Sequence, residues 1–181
     1  MQDLNRRNVI FKSFRFLMAT TFVVAVTGCG GGGGGSSSGG GTAAAGTYVG
    51  PGTFTLSAPG VATQSGTGNI GIQVNADGTV ALIPEVTGAS GSAVLNGNNF
   101  TIDIPASLLN EPGLTCTGTI RFAGTIAGNT INGNNAGLNL RCNGRPFTLT
   151  GTFTLQRTGS ARALFGSTLG ESIQGAISTM L

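Results

Sequence analysis

The sequence contains no histidine and no tryptophan, and it has a single tyrosine among 181 residues. Charged side chains make up only 8 % of the chain, far below the roughly 25 % of an average soluble domain. Without histidine there is no Ser-His-Asp triad and no histidine metal site. With so few charges there is no basic face of the kind that binds the phosphates of a nucleic acid. A chain of this length predicts one domain.

The acidic side chains beyond the first 28 residues do not form a recognisable catalytic pair. They are Asp77, Glu85, Asp103, Glu111 and Glu171. Asp77 belongs to a turn sequence, where aspartate hydrogen-bonds nearby backbone, and Glu85 and Glu111 each adjoin a proline. Serine and threonine are abundant, but this region has no histidine or lysine that could activate a hydroxyl group. We therefore expect no catalytic residue, no metal site, no cofactor and no enzymatic activity.

The first 28 residues have the layout of a secretory signal. Its basic residues come first and are Arg6, Arg7, Lys12 and Arg15. An apolar run over residues 16–26 follows, interrupted only by two threonines, and it is too short to span a bilayer as a stable helix. Two small residues then precede Cys29. This order predicts export of the chain.

The tetrapeptide Val26-Thr27-Gly28-Cys29 resembles the lipobox of bacterial lipoproteins, in which the cysteine becomes the lipidated first residue of the mature chain. The resemblance covers residues 1–29 and implies that Cys29 carries acyl chains such as palmitate, which make a membrane its partner. The alternative is an ordinary cleaved signal in which Cys29 is incidental. Arg6-Arg7 also loosely resembles a twin-arginine export motif, so the general and the twin-arginine export routes both stay open.

By the same resemblance, Gly30 favours the outer membrane of a Gram-negative cell, because the family's inner-membrane retention signal is an aspartate at that position. Two or more acyl chains anchor a protein stably, whereas one chain binds a membrane only marginally. Removal of residues 1–28 would leave five basic and five acidic side chains. The exported chain is then nearly neutral, and its charge does not indicate an anionic partner.

Residues 29–46 predict the lipidated cysteine followed by a flexible tether. The sequence over 30–46 is GGGGGGSSSGGGTAAAG, which cannot bury apolar surface or hold one backbone conformation. A coil of this kind has a root-mean-square length of roughly 20–25 Å. The predicted domains are therefore the signal at 1–28, this segment at 29–46, a strand region at 47–157 and a C-terminal helix at 158–181.

From residue 47 onward, apolar and hydroxyl-bearing residues alternate with a period of two, as a half-buried strand requires. The clearest segments are 114–126 and 147–156, and shorter ones lie at 53–57, 70–74, 80–82, 93–95 and 100–104. Turns rich in asparagine and glycine separate them, and these residues suit tight hairpins. Longer connections are expected only at 85–88 and 105–113.

About eight such strands predict an all-β fold, a small soluble antiparallel up-and-down β-barrel with a calycin-like outline. A β-sandwich is the alternative, and the irregular strand spacing argues against a β-solenoid. The near copies Gly52–Leu56 and Gly151–Leu155 suit two strands that pair and close the barrel. A transmembrane barrel would carry an apolar outer band with girdles of aromatic residues, whereas only 6 % of this chain is aromatic and the strands are short. We therefore expect the apolar face to point inward.

Five phenylalanines are expected inside the barrel, namely Phe54, Phe100, Phe122, Phe147 and Phe153. Glycines at 118, 124 and 151 would leave space beside them. The phenylalanines would fill the interior and the glycines would open it, so two functions stay open. A filled interior favours a structural or interaction lipoprotein that contacts another envelope protein, whereas an open one favours a binding module for a small apolar ligand.

Cys116 and Cys142 are equally distant from Asn129, which lies in the turn between their predicted strands. Antiparallel pairing about this turn places the two cysteines opposite each other. Cys116 shares a face with Leu114 and Ile120, and Cys142 is expected to share one with Leu138 and Leu140. In an oxidising periplasm this pair predicts a structural disulfide, which stabilises the fold by roughly 3 kcal/mol in the chain-entropy model.

From residue 160 the period changes to that of an amphipathic helix. Its apolar stripe is Phe165, Leu169, Ile173, Ile177 and Leu181, widened by Ala176 and Met180. Glycines within the segment weaken a helix by about 1 kcal/mol each relative to alanine. The helix therefore needs a surface to pack on, and the barrel, a partner or the membrane are the candidates.

Overall fold

The structure is a computed structural model that describes residues 44–159 and 166–181. Within these residues the chain forms nine strands, namely β1 Gly46–Ser57, β2 Gln64–Val74, β3 Thr79–Leu82, β4 Ser92–Val94, β5 Asn99–Pro105, β6 Cys116–Ala127, β7 Thr130–Cys142, β8 Arg145–Pro146 and β9 Thr148–Thr158. It also forms the helices α1 Pro84–Thr87 and α2 Leu169–Met180, with a 3-10 helix at Ala106–Leu109. The expected signal, Cys29 and the tether up to residue 43 lie outside the described residues.

All the strands belong to one antiparallel sheet in the order β4-β3-β2-β1-β9-β7-β6-β5, and the short β8 pairs with the end of β7. The predicted closing pair is present, with Thr47 of β1 opposite Thr158 of β9 and Leu56 opposite Leu149. The sheet thereby forms a nearly closed barrel of eight main strands followed by a C-terminal helix. This confirms the predicted fold class, and the described strands form one sheet rather than the two of a sandwich.

The wall of the barrel is interrupted between β4 and β5, which are neighbours in sequence. Asn96 and Asn99 form an isolated bridge where the hairpin turns, but within the described residues no ladder continues along the two strands. β3 and β4 have only four and three residues. Beyond the end of β3, the segment leading into α1 continues the sheet edge, since Ile83 donates its backbone N–H to the Gly71 carbonyl of β2 at 2.8 Å.

Burial follows the predicted alternation along the strands. All five phenylalanines expected inside are buried, with at most 5 % of each residue exposed. The alternate residues of the strands face outward, and the exposed positions of β9 include Thr148, Thr150, Thr152 and Thr154. The sole tyrosine, Tyr48, is fully buried where β1 begins, and its hydroxyl donates to the Ala44 carbonyl at 2.8 Å.

Two strand glycines accommodate aromatic rings, and Gly124 therefore does not leave the space that the sequence predicts beside the phenylalanines. Gly124 lies opposite Phe100, and a Cβ at Gly124 would fall 2.6 Å from the Cζ atom of that ring. Gly66 lies opposite Phe54 with a corresponding distance of 2.7 Å. The space that each missing side chain would occupy is therefore filled from the neighbouring strand.

A β-bulge between β6 and β7 changes which side chains point inward. The register shifts between Thr117 and Thr119, where Gly118 has a φ of 104° and Asn139 a φ of 53°. Gly118 is exposed, so the prediction that it opens space inside is wrong. Leu138 lies opposite Thr119 on the outward side and is only half-buried. The prediction that Leu138 shares the face of Cys142 is therefore also wrong.

Helix α2 begins later than the period of four indicated. Thr168 caps it in a reciprocal pair, accepting from the Glu171 N–H at 3.1 Å and donating its own N–H to the Glu171 carboxylate at 2.9 Å. Residues 166–168 are therefore not helical, and 160–165 lie outside the described residues. Met180 is buried and Leu181 is 49 % exposed, so the stripe ends at Met180 and not, as predicted, at Leu181.

The strands of the described chain span residues 46–158. Gly46, expected in the tether, is the first residue of β1, and β9 extends to Thr158. Neither α1 nor α2, the helices within the described ranges, has the length and apolar character needed to cross a bilayer.

Candidate functional site

The two cysteines expected to pair are joined by a disulfide bond. Cys116 and Cys142 are directly opposite each other in the β6–β7 ladder, with 4.0 Å between their Cα atoms. Both are almost completely buried and belong to the hydrophobic core. Their position fits the structural role that the sequence predicts. The predicted lipidation site, Cys29, lies outside the described residues.

Two asparagines hold the loop around the disulfide, and sequence analysis did not single them out. Asn110 accepts the Cys116 N–H on its Oδ1 atom at 2.6 Å. Asn143 accepts the Thr115 N–H on Oδ1 and donates from Nδ2 to the Gly113 carbonyl, both at 2.9 Å. The loop before β6 is thus fixed to the turn after β7 by polar contacts as well as by the sulfur atoms.

Helix α2 packs on the inner side of the barrel. Four of its side chains belong to the same core as the inward strand residues, and we call them the plug: Leu169, Ile173, Ile177 and Met180. The N-terminal end of α2 approaches β2 closely because Gly68 has no side chain, and a Cβ there would meet the Leu169 main chain. Of the expected docking surfaces, the barrel itself is the one occupied.

Polar contacts hold the plug at several points. Gln174 donates from Nε2 to the Leu109 carbonyl at 3.1 Å, and the Ser178 hydroxyl donates to the Glu111 carboxylate at 2.9 Å. At the C-terminal end, Arg145 donates from Nη1 to the Met180 carbonyl at 2.9 Å and from Nη2 to the Pro59 carbonyl at 2.8 Å. A guanidinium group at a helix C-terminus also matches the helix dipole.

Little free volume remains where the plug meets the inward side chains of the strands. The cavity where α1, α2 and the 3-10 helix meet the strands measures about 10 Å³. Its lining includes Ile104, Leu109, Ile120, Phe122, Leu169 and Ile173. This is about the space of one water molecule, whereas pockets for small ligands measure roughly 300–1,000 Å³.

One buried polar side chain lies among these apolar groups. Asn135 of β7 is 1 % exposed, and its Nδ2 atom donates to the Thr53 carbonyl at 3.4 Å. Its amide lies over Gly151, which has no Cβ to meet it, so Gly151 does not leave the predicted space either. Among the described residues the Oδ1 atom of Asn135 has no hydrogen-bond partner.

The five acidic side chains lie in separate structural settings. Asp77 accepts the Thr79 N–H at 2.8 Å, and this bond lowers the pKa of Asp77. Glu171 caps α2 and Glu111 accepts from Ser178. Glu85 lies exposed in the first turn of α1. Within residues 44–159 and 166–181, no three cysteine or acidic side chains come together as a metal site would need.

Asp103 forms an ion pair with Arg121 across β5 and β6. The guanidinium group contacts the carboxylate with two bonds of 2.7 and 2.6 Å. These bonds lower the pKa of Asp103 and raise that of Arg121. Both side chains are 43 % exposed, so the pair lies on the outward face of the two strands.

Comparison with known proteins assigns no function to the disulfide, the plug or the Asp103–Arg121 pair. No protein-family model matches the chain, and no curated protein matches it significantly.

Proposed function

We propose that this protein is an exported, lipid-anchored component of the bacterial envelope with a structural or protein-interaction role and no enzymatic activity. Its anchor would be the acylated Cys29, and its location the outer membrane. The lipobox-like sequence before Cys29 and the glycine-rich segment after it support this proposal. So does the start of the barrel at Gly46, directly after that segment.

The filled interior is the observation that favours this role over ligand binding. Phenylalanine rings fill the space beside Gly66 and Gly124, and the cavity where the plug meets the strands measures only about 10 Å³. A calycin-like binding module needs an interior that admits its ligand. An acyl chain would have to displace α2, together with the contacts that Gln174, Ser178 and Arg145 make around it.

A titration with a dansyl-labelled fatty acid tests this part of the proposal. We expect no saturable fluorescence change with the purified protein at concentrations at which a fatty-acid-binding calycin is saturated. An Ile173→Ala variant is titrated in parallel. Its shorter plug side chain opens the interior in part, so the variant shows whether the assay responds to added internal space. Saturable one-to-one binding by the unmodified protein would establish the binding module instead.

Metabolic labelling with an alkyne-tagged palmitate tests the anchor. In a Gram-negative host, the full-length chain is expected to incorporate the label and to sediment with the outer membrane. Cys29→Ser should abolish both properties, whereas Cys116→Ser with Cys142→Ser serves as the matched control and should keep them. An unlabelled full-length protein that stays in the aqueous fraction would contradict the anchor.

A further inference from the structure

The sequence contains three Asn-Gly dipeptides, and the fold holds their asparagine side chains to different degrees. They are Asn96-Gly97, Asn132-Gly133 and Asn143-Gly144. In such a pair the main-chain nitrogen of glycine can approach the asparagine side-chain carbonyl carbon, since glycine has no Cβ in the way. Whether the two atoms meet depends on how firmly the surrounding structure holds them.

Asn96-Gly97 lies in the open hairpin between β4 and β5, where the barrel wall is interrupted. Asn96 is exposed, and neither polar atom of its side chain has a hydrogen-bond partner among the described residues. Gly97 has a φ of 61°, and a Cβ placed on it would meet nothing within 4 Å. The backbone of Asn96 is held only through its bridge to Asn99.

The other two dipeptides are held in place. The Oδ1 atom of Asn132 accepts from the Thr154 hydroxyl at 3.0 Å, and β7 is laddered there to strands on both sides. Asn143 is bound through Oδ1, through Nδ2 and through its own N–H, which donates to the Thr115 carbonyl at 2.8 Å. Each of these amides must break hydrogen bonds before it can turn toward its glycine.

We propose that Asn96 is a site of non-enzymatic deamidation and that the fold protects Asn132 and Asn143. The Gly97 nitrogen loses its proton to water or hydroxide and forms a bond to Cγ of Asn96. The Cγ–Nδ2 bond of Asn96 breaks, and the Nδ2 nitrogen takes up a proton and leaves as ammonia. Water then opens the resulting succinimide at either carbonyl and yields aspartate or isoaspartate. No oxidant or reductant takes part, and the product places a new carboxylate in the hairpin at the barrel opening.

The test is a time course on the purified full-length protein with its disulfide intact, in mildly alkaline buffer. Peptide mapping by mass spectrometry follows the amide-to-acid mass change at all three asparagines. We expect Asn96 to convert at least about tenfold faster than Asn132 and Asn143, whose side-chain hydrogen bonds must open first. Equal rates at the three sites, or faster conversion of Asn143, would overturn the proposal.

Two controls separate the effect of the fold from that of local sequence. After reduction and denaturation the three dipeptides should convert at similar rates, because the contacts of Asn132 and Asn143 are lost. An Asn143→Ser variant cannot deamidate at that position and should leave the rate at Asn96 unchanged. If Asn96 keeps its full lead in the denatured chain, sequence and not structure sets the rate, and the proposed protection is wrong.

Discussion

The Thr87 hydroxyl group makes two hydrogen bonds to one residue, accepting the Gly71 N–H at 2.9 Å and donating to the Gly71 carbonyl at 3.1 Å. Thr87 is the last residue of α1 and is fully buried. Gly71 lies on β2 just beyond the last residue paired with β3. Where β3 ends, the Thr87 side chain therefore provides the partner of the Gly71 N–H, while the Gly71 carbonyl accepts from both Thr87 and the Ile83 N–H.

Replacement of Thr87 by valine should destabilise the fold by about 1–3 kcal/mol, because the buried Gly71 N–H loses its partner. Thr87→Ser keeps the hydroxyl group and serves as the control. The direct readout is hydrogen exchange of the Gly71 amide, which should be slow in the wild type and in Thr87→Ser and fast in Thr87→Val. Equal protection in all three proteins would contradict the assigned role.

Gly124→Ala should also destabilise the barrel, by about 1–3 kcal/mol, because the new methyl group collides with the Phe100 ring in a filled core. Urea unfolding measures the change in free energy. An unchanged midpoint would show that the ring moves aside freely and that the interior is less tightly packed than the structure indicates.

The same substitution at Gly175 should have the opposite sign. Gly175 is exposed within α2, and a Cβ there would meet nothing within 4 Å. Alanine is a better helix former than glycine, so Gly175→Ala is expected to stabilise the protein by about 0.5–1 kcal/mol. Urea unfolding again measures the effect, and a loss of stability would refute the placement of this residue on the solvent side of the helix.

Below about pH 4 the Asp103–Arg121 pair is expected to contribute to the pH dependence of stability. The folded-state pKa of Asp103 lies below the ordinary value of 3.8, so the contribution is present above 3.8 and is lost as the pH falls through the folded pKa. The effect on stability should be small because both side chains are exposed.

An NMR titration of the aspartate carboxyl carbons measures this shift. Arg121→Gln should move the pKa of Asp103 back toward 3.8 and leave Asp77 unchanged, because the pKa of Asp77 is lowered by Thr79. A pKa of Asp103 that does not respond to Arg121→Gln would contradict the assigned cause.

The strand pattern and the disulfide could be predicted because both depend on local rules. Alternation indicates which side chains of a strand are buried. The turn at Gly128-Asn129 brings Cys142 to within one residue of the position opposite Cys116, and the bulge between β6 and β7 supplies the remaining residue. The bulge at Gly118 and Asn139 could not be read from a period of two, since one additional residue reverses the alternation. Beyond the bulge the alternation of β7 is reversed, so Leu138 lies on the outward face and not on the predicted one.

The start of α2 is marked in the sequence by a signal other than the period of four. Thr168 and Glu171 have the spacing of a capping box, which marks the first turn more sharply than the spacing of the apolar residues. The contacts of Gly124 with Phe100 and of Asn135 with Gly151 depend on which strands are neighbours across the sheet. Such contacts follow from the topology, and no local pattern contains them.

The pairing of β1 with β9 also determines when the protein can finish folding. Thr47 meets Thr158, more than a hundred positions along the chain, and among the described strands the β1–β9 ladder connects the first four strands to the other strands of the sheet. Closing so long a loop is entropically costly, and topologies dominated by distant pairings fold slowly. A chain that still lacks β9 would leave both β1 and β7 without the strand that pairs with them. Unpaired strand edges of this kind favour association between chains.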